Sequence, residues 1–203
     1  MSVIANHVRL PDDTLEEWCA DPNLLQQLHS GTRPGVEYID LDKSWEAIAW
    51  LLSECKREEK KRESDSFPDT DDLDPDDDAA WDAAFANAPV ADYQGLTPDL
   101  LLVAVEGRGD KREDRLDYGY GPACILDKAT VREINGALRN VTVDDLRQHY
   151  DPELMDRHKV YPQIWANEGL AALEEYVIPY FNQLCDLYRN AAEANQKVVV
   201  FFS

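Results

Sequence analysis

Clustered carboxylates are the most abundant residues in this sequence that could do chemistry. Between Ser64 and Val105 there are eleven aspartates and neither a lysine nor an arginine. Hard cations such as Ca²⁺ bind clustered carboxylate oxygens, which suggests an EF-hand register with Asp72 at loop position one. That register puts Asp77 where the loop needs glycine and Ala83 where it needs the bidentate glutamate. The EF-hand interpretation therefore fails, and the alternatives are loose, weak cation binding or a solvated run of charge.

The histidines and cysteines give no recognisable zinc or catalytic motif. The four histidines lack the H-E-x-x-H spacing, and the four cysteines lack a C-x-x-C pair. Folding could place Cys124 against a histidine as a nucleophile, but we expect buried, reduced thiols at all four cysteines. We therefore predict no catalytic residue, no metal and no cofactor, and the balance is against an enzyme.

The stretch Asp117–Leu126 has the most unusual local pattern. Glycines alternate with tyrosines ahead of Pro122, which predicts a flexible aromatic turn that leads into a buried strand. The stretch lacks the third glycine of a dinucleotide loop and the Lys-Ser/Thr of a P-loop, and it precedes a strand where such loops follow one. These differences disfavour nucleotide binding.

An aromatic and carboxylate surface is the remaining candidate site. Its predicted members, which could bind a ligand or a partner, are Asp40, Asp42, Tyr118, Tyr120, Tyr161 and Trp165. Tyrosine and tryptophan offer a large contact area with a polar tip, and carboxylates select a basic partner. The alternative is that these aromatic side chains pack the junction between the two halves of the chain.

The net charge of the chain limits the classes of partner that it can bind. The 203 residues carry a formal net charge of −21, and about half of that excess lies between Ser64 and Val105. Such a field repels nucleic acid and anionic lipid and attracts basic proteins, although it also serves solubility alone. No apolar run is long enough for a membrane span or a signal peptide, so we expect a cytoplasmic protein. The sequence does not indicate an oligomeric state.

Hydrophobic periodicity and capping residues predict the fold class α+β, as a single helix-rich domain (residues 1–203) around a small mixed sheet. Strands are expected at Ser2–Leu10, Val36–Leu41, Leu100–Val105, Ala123–Leu126 and Lys197–Phe202. Helices are expected after caps at Asp21, Asp42, Asp127, Thr142 and Asp151, and from Gly169 to Ala194 with a bend at Pro179. The terminal Val-Val-Val-Phe-Phe strand must be sheltered, because exposed it would aggregate.

A charged insertion interrupts this domain at residues 56–92. Opposite charges at i,i+4 from Lys56 to Glu63 could extend a solvated helix by a few turns. Residues 64–78 contain two prolines, many aspartates and almost no apolar side chain, so we expect a partly flexible acidic loop there.

Several ordered motifs are shared with a known family. They are Tyr38-Ile39-Asp40-Leu41-Asp42-Lys43-Ser44-Trp45, Gly119-Tyr120-Gly121-Pro122-Ala123, Tyr161-Pro162 with Trp165, and Leu187-Tyr188-Arg189-Asn190-Ala191-Ala192. In these motifs the chain resembles the YfbM-like family of uncharacterised bacterial domains, over nearly its whole length except Lys56–Asp92. The resemblance implies a cytoplasmic α+β domain with no established reaction. Relatives often have histidines soon after the tryptophan of the first motif, where this chain has Glu46 and Ala49, so any role of those histidines is absent here.

Three functional hypotheses follow. We predict a non-catalytic binding or interaction protein, of immunity or inhibitor type, whose acidic surface engages a basic protein partner. The alternative is a small-molecule binder or enzyme with a pocket at the Tyr118–Pro122 turn and the Tyr161–Trp165 loop. A purely solubilising role for the charge would require neither a partner nor a pocket.

Overall fold

The computed structural model describes residues 2–30, 33–66, 94–109 and 111–203, which form an α+β fold around one five-stranded sheet. The strands are β1 (Ala5–Leu10), β2 (Glu37–Asp40), β3 (Arg112–Asp117), β4 (Pro122–Leu126) and β5 (Lys197–Phe202). Their order across the sheet is β2-β1-β5-β4-β3, and each neighbouring pair is antiparallel. The predicted α+β class is confirmed, with a sheet that is antiparallel where we expected a mixed one.

The C-terminal strand β5 lies at the centre of the sheet, between β1 and β4. Its side chains alternate between the faces, so that Val198 and Val200 join the larger core cluster while Val199 and Phe201 join the smaller one. Because a central strand has no free edge, the prediction that this apolar segment is sheltered is confirmed.

Helices cover both faces of the sheet. The smaller cluster is covered by α1 (Asp12–Ala20), a 3-10 turn (Pro22–Leu24) and α2 (Leu25–His29), with Trp18 and Leu28 fully buried. On the opposite side lie α3 (Trp45–Leu52), α4 (Glu54–Ser66), α5 (Leu100–Glu106), α6 (Lys128–Leu138), α7 (Val143–His149), α8 (Pro152–Arg157), α9 (Trp165–Glu168), a π-helical turn (Ala172–Val177) and α10 (Ile178–Glu193). Within the described ranges, no helix is long and apolar enough to cross a membrane.

Side-chain caps begin α6, α7 and α8, as the sequence predicts. Asp127 Oδ1 accepts hydrogen bonds from the backbone N–H groups of Ala129 and Thr130 at the start of α6. Thr142 and Asp145 form a reciprocal capping box at α7. These caps satisfy backbone donors that a helix leaves without a partner, so each helix begins where its aspartate or threonine stands.

The segment Leu100–Glu106 is a helix, so the predicted interior strand at Leu100–Val105 is wrong. Asp99 Oδ1 accepts from the Leu102 N–H at 2.9 Å, and Gly107 closes the helix with φ 61°. A short apolar run reads alike as a buried strand or a buried helix, and only the flanking cap and glycine separate the two.

Helix α4 occupies the start of the predicted charged insertion, residues 56–92. The predicted helix is confirmed, but the expectation of a solvated helix is wrong for one face, because Lys56, Glu59 and Lys60 are buried. Residues 67–92 of the insertion, which include most of the predicted acidic loop at 64–78, lie outside the described residues.

Candidate functional site

Asp40 and Asp42, two of the predicted site residues, lie together after β2. Asp40 Oδ1 accepts a hydrogen bond from the Asp42 backbone N–H at 3.2 Å, and Asp42 Oδ2 accepts one from the Tyr176 hydroxyl at 2.8 Å. The Tyr180 ring meets the Tyr176 ring edge-on, with centroids 5.4 Å apart. We call these four half-buried residues, Asp40, Asp42, Tyr176 and Tyr180, the Asp42 patch.

A tight turn positions this patch. Asp42 has φ 44°, a left-handed conformation that aspartate tolerates better than most residues. The Tyr176 hydroxyl also accepts from the Lys43 backbone N–H at 3.1 Å, which ties the turn to the π-helical segment. Ser44, not Asp42, precedes α3, so the predicted helix cap at Asp42 is wrong.

The electrostatics of the Asp42 patch suit a cationic group. Neither carboxylate forms an ion pair with a lysine or arginine of the described residues. Burial, followed by the neighbouring Asp42, raises the pKa of both Tyr176 and Tyr180, so both phenols stay neutral at physiological pH. Unpaired carboxylates beside neutral aromatic rings offer a lysine or arginine both a counter-charge and a π face.

Tyr118 lies on the opposite side of the sheet from Trp165. Its hydroxyl accepts a hydrogen bond from Trp18 Nε1 at 2.9 Å, and its ring centroid is 4.8 Å from that of Phe201. Tyr120, in the β3–β4 turn, is 43% exposed. The structure therefore does not bring the tyrosines of the turn together with the Asp42 patch, and Tyr118 packs against Trp18 and Phe201.

The glycines of the β3–β4 turn serve its backbone geometry. Gly119 and Gly121 have φ 102° and 94°, where a side chain would be strained. Asp117 Oδ1 accepts hydrogen bonds from both of their N–H groups, at 2.8 and 3.2 Å. The turn is thus closed by its own aspartate.

Trp165 and Tyr161 occupy different environments although they are close in sequence. Trp165 is fully buried in the larger core, and its Nε1 donates to the Val160 carbonyl at 2.7 Å. Tyr161 is half-buried, and its hydroxyl accepts from the Val3 N–H at 3.3 Å. Tyr161 also lines a cavity of about 260 Å³. Of the two, only Tyr161 has a surface that a ligand could reach.

A serine–histidine contact lies in this cavity. Ser64 Oγ is 2.7 Å from His158 Nδ1, and Ser64 Oγ also donates to the Lys61 carbonyl at 3.0 Å. A hydroxyl has one proton, so when it donates to the carbonyl, His158 Nδ1–H must be the donor to Ser64. Burial lowers the pKa of His158, against the opposing effect of Asp65. The pair thus satisfies a helix end and is not set up as a nucleophile with its base.

A buried group of charges, missed by the sequence interpretation, joins α3, α4 and α5. Lys56 Nζ lies 2.9 Å from Glu46 Oε1 and 2.8 Å from Glu106 Oε1. Lys60 Nζ lies 3.5 Å from Glu46 Oε2, and Arg108 pairs with Glu106 and Glu59. We call Glu46, Lys56, Glu59, Lys60, Glu106 and Arg108 the Lys56 cluster. The i,i+4 spacing of Lys56 and Lys60 placed them on one helix face, but their partners are distant in sequence.

The Lys56 cluster keeps its charges because they compensate one another. Burial lowers the pKa of Lys56, but Glu106 and Glu46 outweigh burial and raise it. Burial likewise raises the pKa of Glu46, but Lys56 and Lys60 outweigh burial and lower it. The Tyr161 backbone N–H completes the set by donating to Glu46 Oε2 at 2.7 Å. Buried carboxylates and cations that neutralise one another in this way are typical of a structural ion network.

The thiols and the metal-binding side chains of the described residues give no further site. None of the four cysteines forms a disulfide bond. In the part of the chain that the structure describes, no group of three or more histidine, cysteine, aspartate or glutamate side chains is placed to hold a metal ion.

The chain matches the model of a domain of unknown function, DUF1877, over residues 1–201. The chain belongs to this family. Among solved structures, this DUF1877 protein is similar to YfbM from Escherichia coli, a protein of unknown function, with a TM-score of 0.59 and 12% identity, covering 98% of this chain and 99% of YfbM. At that identity the likeness shows the fold alone, and with the family match it confirms the resemblance seen in the sequence. No curated protein matches this DUF1877 chain.

Proposed function

We propose that this DUF1877 protein is a non-catalytic binding protein whose acidic surface engages a basic protein partner. The Asp42 patch carries the proposal, because Asp40 and Asp42 lie beside Tyr176 and Tyr180 and neither carboxylate pairs with a described cation. Aromatic side chains with a polar tip dominate the energetics of many interfaces, and a free carboxylate beside them selects lysine or arginine.

The charge of the whole chain supports the same partner class. The net charge is −21, and residues 64–105 contribute eleven aspartates without a cation. Many described cations are already held by carboxylates, as Arg147 is by Glu174 and Asp144. The resulting field attracts a basic protein from a distance and disfavours nucleic acid and anionic lipid. An acidic protein that captures a basic one suits an inhibitor or immunity role.

Affinity capture from native lysate at increasing salt tests this proposal. We expect a basic protein to be retained at about 50 mM salt and lost by about 300 mM, because the Debye length shrinks over that range. Capture that is insensitive to salt, or no captured basic protein, would contradict the proposal.

A second candidate function is small-molecule binding at the Tyr161 loop. The cavity of about 260 Å³ beside Tyr161, with Lys60, Ser64 and His158 in its lining, favours it. A thermal-shift screen of metabolites would then find a ligand that stabilises the natural chain and stabilises Ser64→Ala less. A screen without any saturable shift would remove this candidate.

A further inference from the structure

A second and larger cleft, of about 760 Å³, lies where α3 ends and α4 begins. This volume falls in the range of sites that enclose small organic molecules. Leu96, Leu154 and the Trp50 ring supply apolar wall, and the His158 ring is tilted 30° to that of Trp50 with centroids 5.6 Å apart. The walls therefore suit a flat apolar group.

The indole of Trp50 gives this cleft a hydrogen-bond donor without an acceptor. Trp50 is only 2% exposed, and it lines the cleft. Its Nε1–H finds no acceptor within the described residues. A buried donor without a partner is unfavourable, and buried polar groups in native proteins are rarely left so. An acceptor atom of a ligand in the cleft would satisfy it.

Arg57, which also lines the cleft, supplies a second set of donors. Its Nη1 donates to the carbonyls of Trp50 and Leu51, at 2.7 and 3.2 Å. Its Nε and Nη2 donors have no acceptor in the described part of the chain, and no described carboxylate forms an ion pair with Arg57. These two groups form the planar fork that binds a carboxylate through two parallel hydrogen bonds.

The carboxylates around the cleft do not occupy this fork. Asp99 is engaged by Ser53 Oγ at 2.6 Å and by the Leu102 N–H. Glu58 pairs with Arg62 at 2.9 Å. Glu54 is exposed, and with Asp99 it partly offsets the effect of burial, which lowers the pKa of Arg57. The free fork of Arg57 and the free donor of Trp50 thus share one cleft with flat apolar walls.

We propose that this cleft binds a small aromatic carboxylate. The carboxylate takes the Nε and Nη2 donors of Arg57 and the Nε1–H of Trp50, and the aromatic ring lies against Leu96, Leu154 and His158. This site is separate from the Asp42 patch. A negative result for ligand binding in this cleft would therefore leave the proposed partner binding at the Asp42 patch unaffected, and the reverse also holds.

NMR of the indole N–H signals tests the proposal. The chain has five tryptophans, and Trp50→Phe identifies the Trp50 signal by its loss. The probe is 2-naphthoate, and its neutral counterpart 2-naphthalenemethanol keeps the ring but lacks the carboxylate. We expect a saturable shift of the Trp50 signal with naphthoate, and binding that is about tenfold weaker for the neutral probe.

Variants of the guanidinium locate the site. Arg57→Lys keeps the charge but lacks the planar fork, so we expect naphthoate to bind about tenfold more weakly. Arg139→Lys, an exposed arginine at the end of α6, is the matched control and should bind as the natural chain does. Equal binding of the two probes, no saturable shift at about 1 mM naphthoate, or equal affinity for both arginine variants would each overturn the proposal. Even if Arg57→Lys does not fold, the comparison of the two probes on the natural chain still tests whether the cleft recognises the carboxylate.

Discussion

Lys56 Nζ lies 2.9 Å from Glu46 Oε1 inside the protein, where the two side chains are only 5% and 8% exposed. The pair joins α4 to α3, and Glu106 extends the contact to α5. Two desolvated ions depend on each other, because removal of one leaves an uncompensated charge in the interior. The Lys56 cluster should therefore be sensitive to the loss of any single member.

Lys56→Met should lower the free energy of unfolding by about 3–5 kcal/mol, because it leaves Glu46 and Glu106 buried without their shared cation. Urea denaturation measures the change. Lys61→Met, on the exposed face of the same helix, is the control and should change stability by no more than about 0.5 kcal/mol. Similar small effects from both substitutions would show that the Lys56 cluster contributes little to the free energy of unfolding.

His7 should make the protein less stable in mild acid. It is fully buried, and its Nε2–H donates to the Ala104 carbonyl at 3.0 Å. Burial lowers its pKa from 6.5 to about 4. Between these two values the unfolded chain binds a proton that the folded protein does not, so stability falls as the pH drops from 6.5 to about 4 and levels off below. Over this whole pH range, His7 lowers the free energy of unfolding by about 3 kcal/mol.

Urea denaturation at pH 7 and pH 4.5 measures this dependence. His7→Gln has no group that titrates in this range, so its loss of stability between the two pH values should be smaller than that of the natural chain by about 2–3 kcal/mol. An equal loss in both chains would mean that other groups cause the acid sensitivity.

Replacement of two glycines by alanine should change the free energy of unfolding in opposite directions. A Cβ at Gly107 would lie 2.7 Å from Val200 Cβ and 3.1 Å from Cys124 Cβ, and φ is 61°, so Gly107→Ala should lower the free energy of unfolding by about 1–3 kcal/mol. Gly136, within α6, has nothing within 4 Å of such an atom, so Gly136→Ala should raise it by about 0.5–1 kcal/mol. Thermal unfolding of the two variants distinguishes them. A change of the same sign in both would contradict the steric explanation.

Features set by neighbouring residues were predictable from the sequence. The caps at Asp127, Thr142 and Asp151 act within three residues of their helices, so local spacing was enough. The shelter of the last strand followed from its own apolar composition. The fold class rests on such local signals and was correct.

Features that depend on distant residues were not predictable. The partners of Lys56 are ten residues before it and fifty after it, so a charged run appeared solvated although one face is buried. The turn at Asp42 meets Tyr176, which the sequence interpretation did not select, while Tyr118 packs on the other face of the sheet. Aromatic residue types could be recognised as candidates, but their grouping is decided by tertiary packing alone.

The role of the Asp42 patch is tested most directly by the yield of a captured basic partner from two variants of equal charge. Asp40→Asn/Asp42→Asn keeps the shape of both side chains, and asparagine tolerates the left-handed backbone at position 42. Glu133→Gln/Glu193→Gln removes two exposed charges elsewhere. At about 50 mM salt we expect the first variant to retain about tenfold less partner than the natural chain, and the second to retain nearly as much. Equal retention by the two variants would contradict a binding role for the patch.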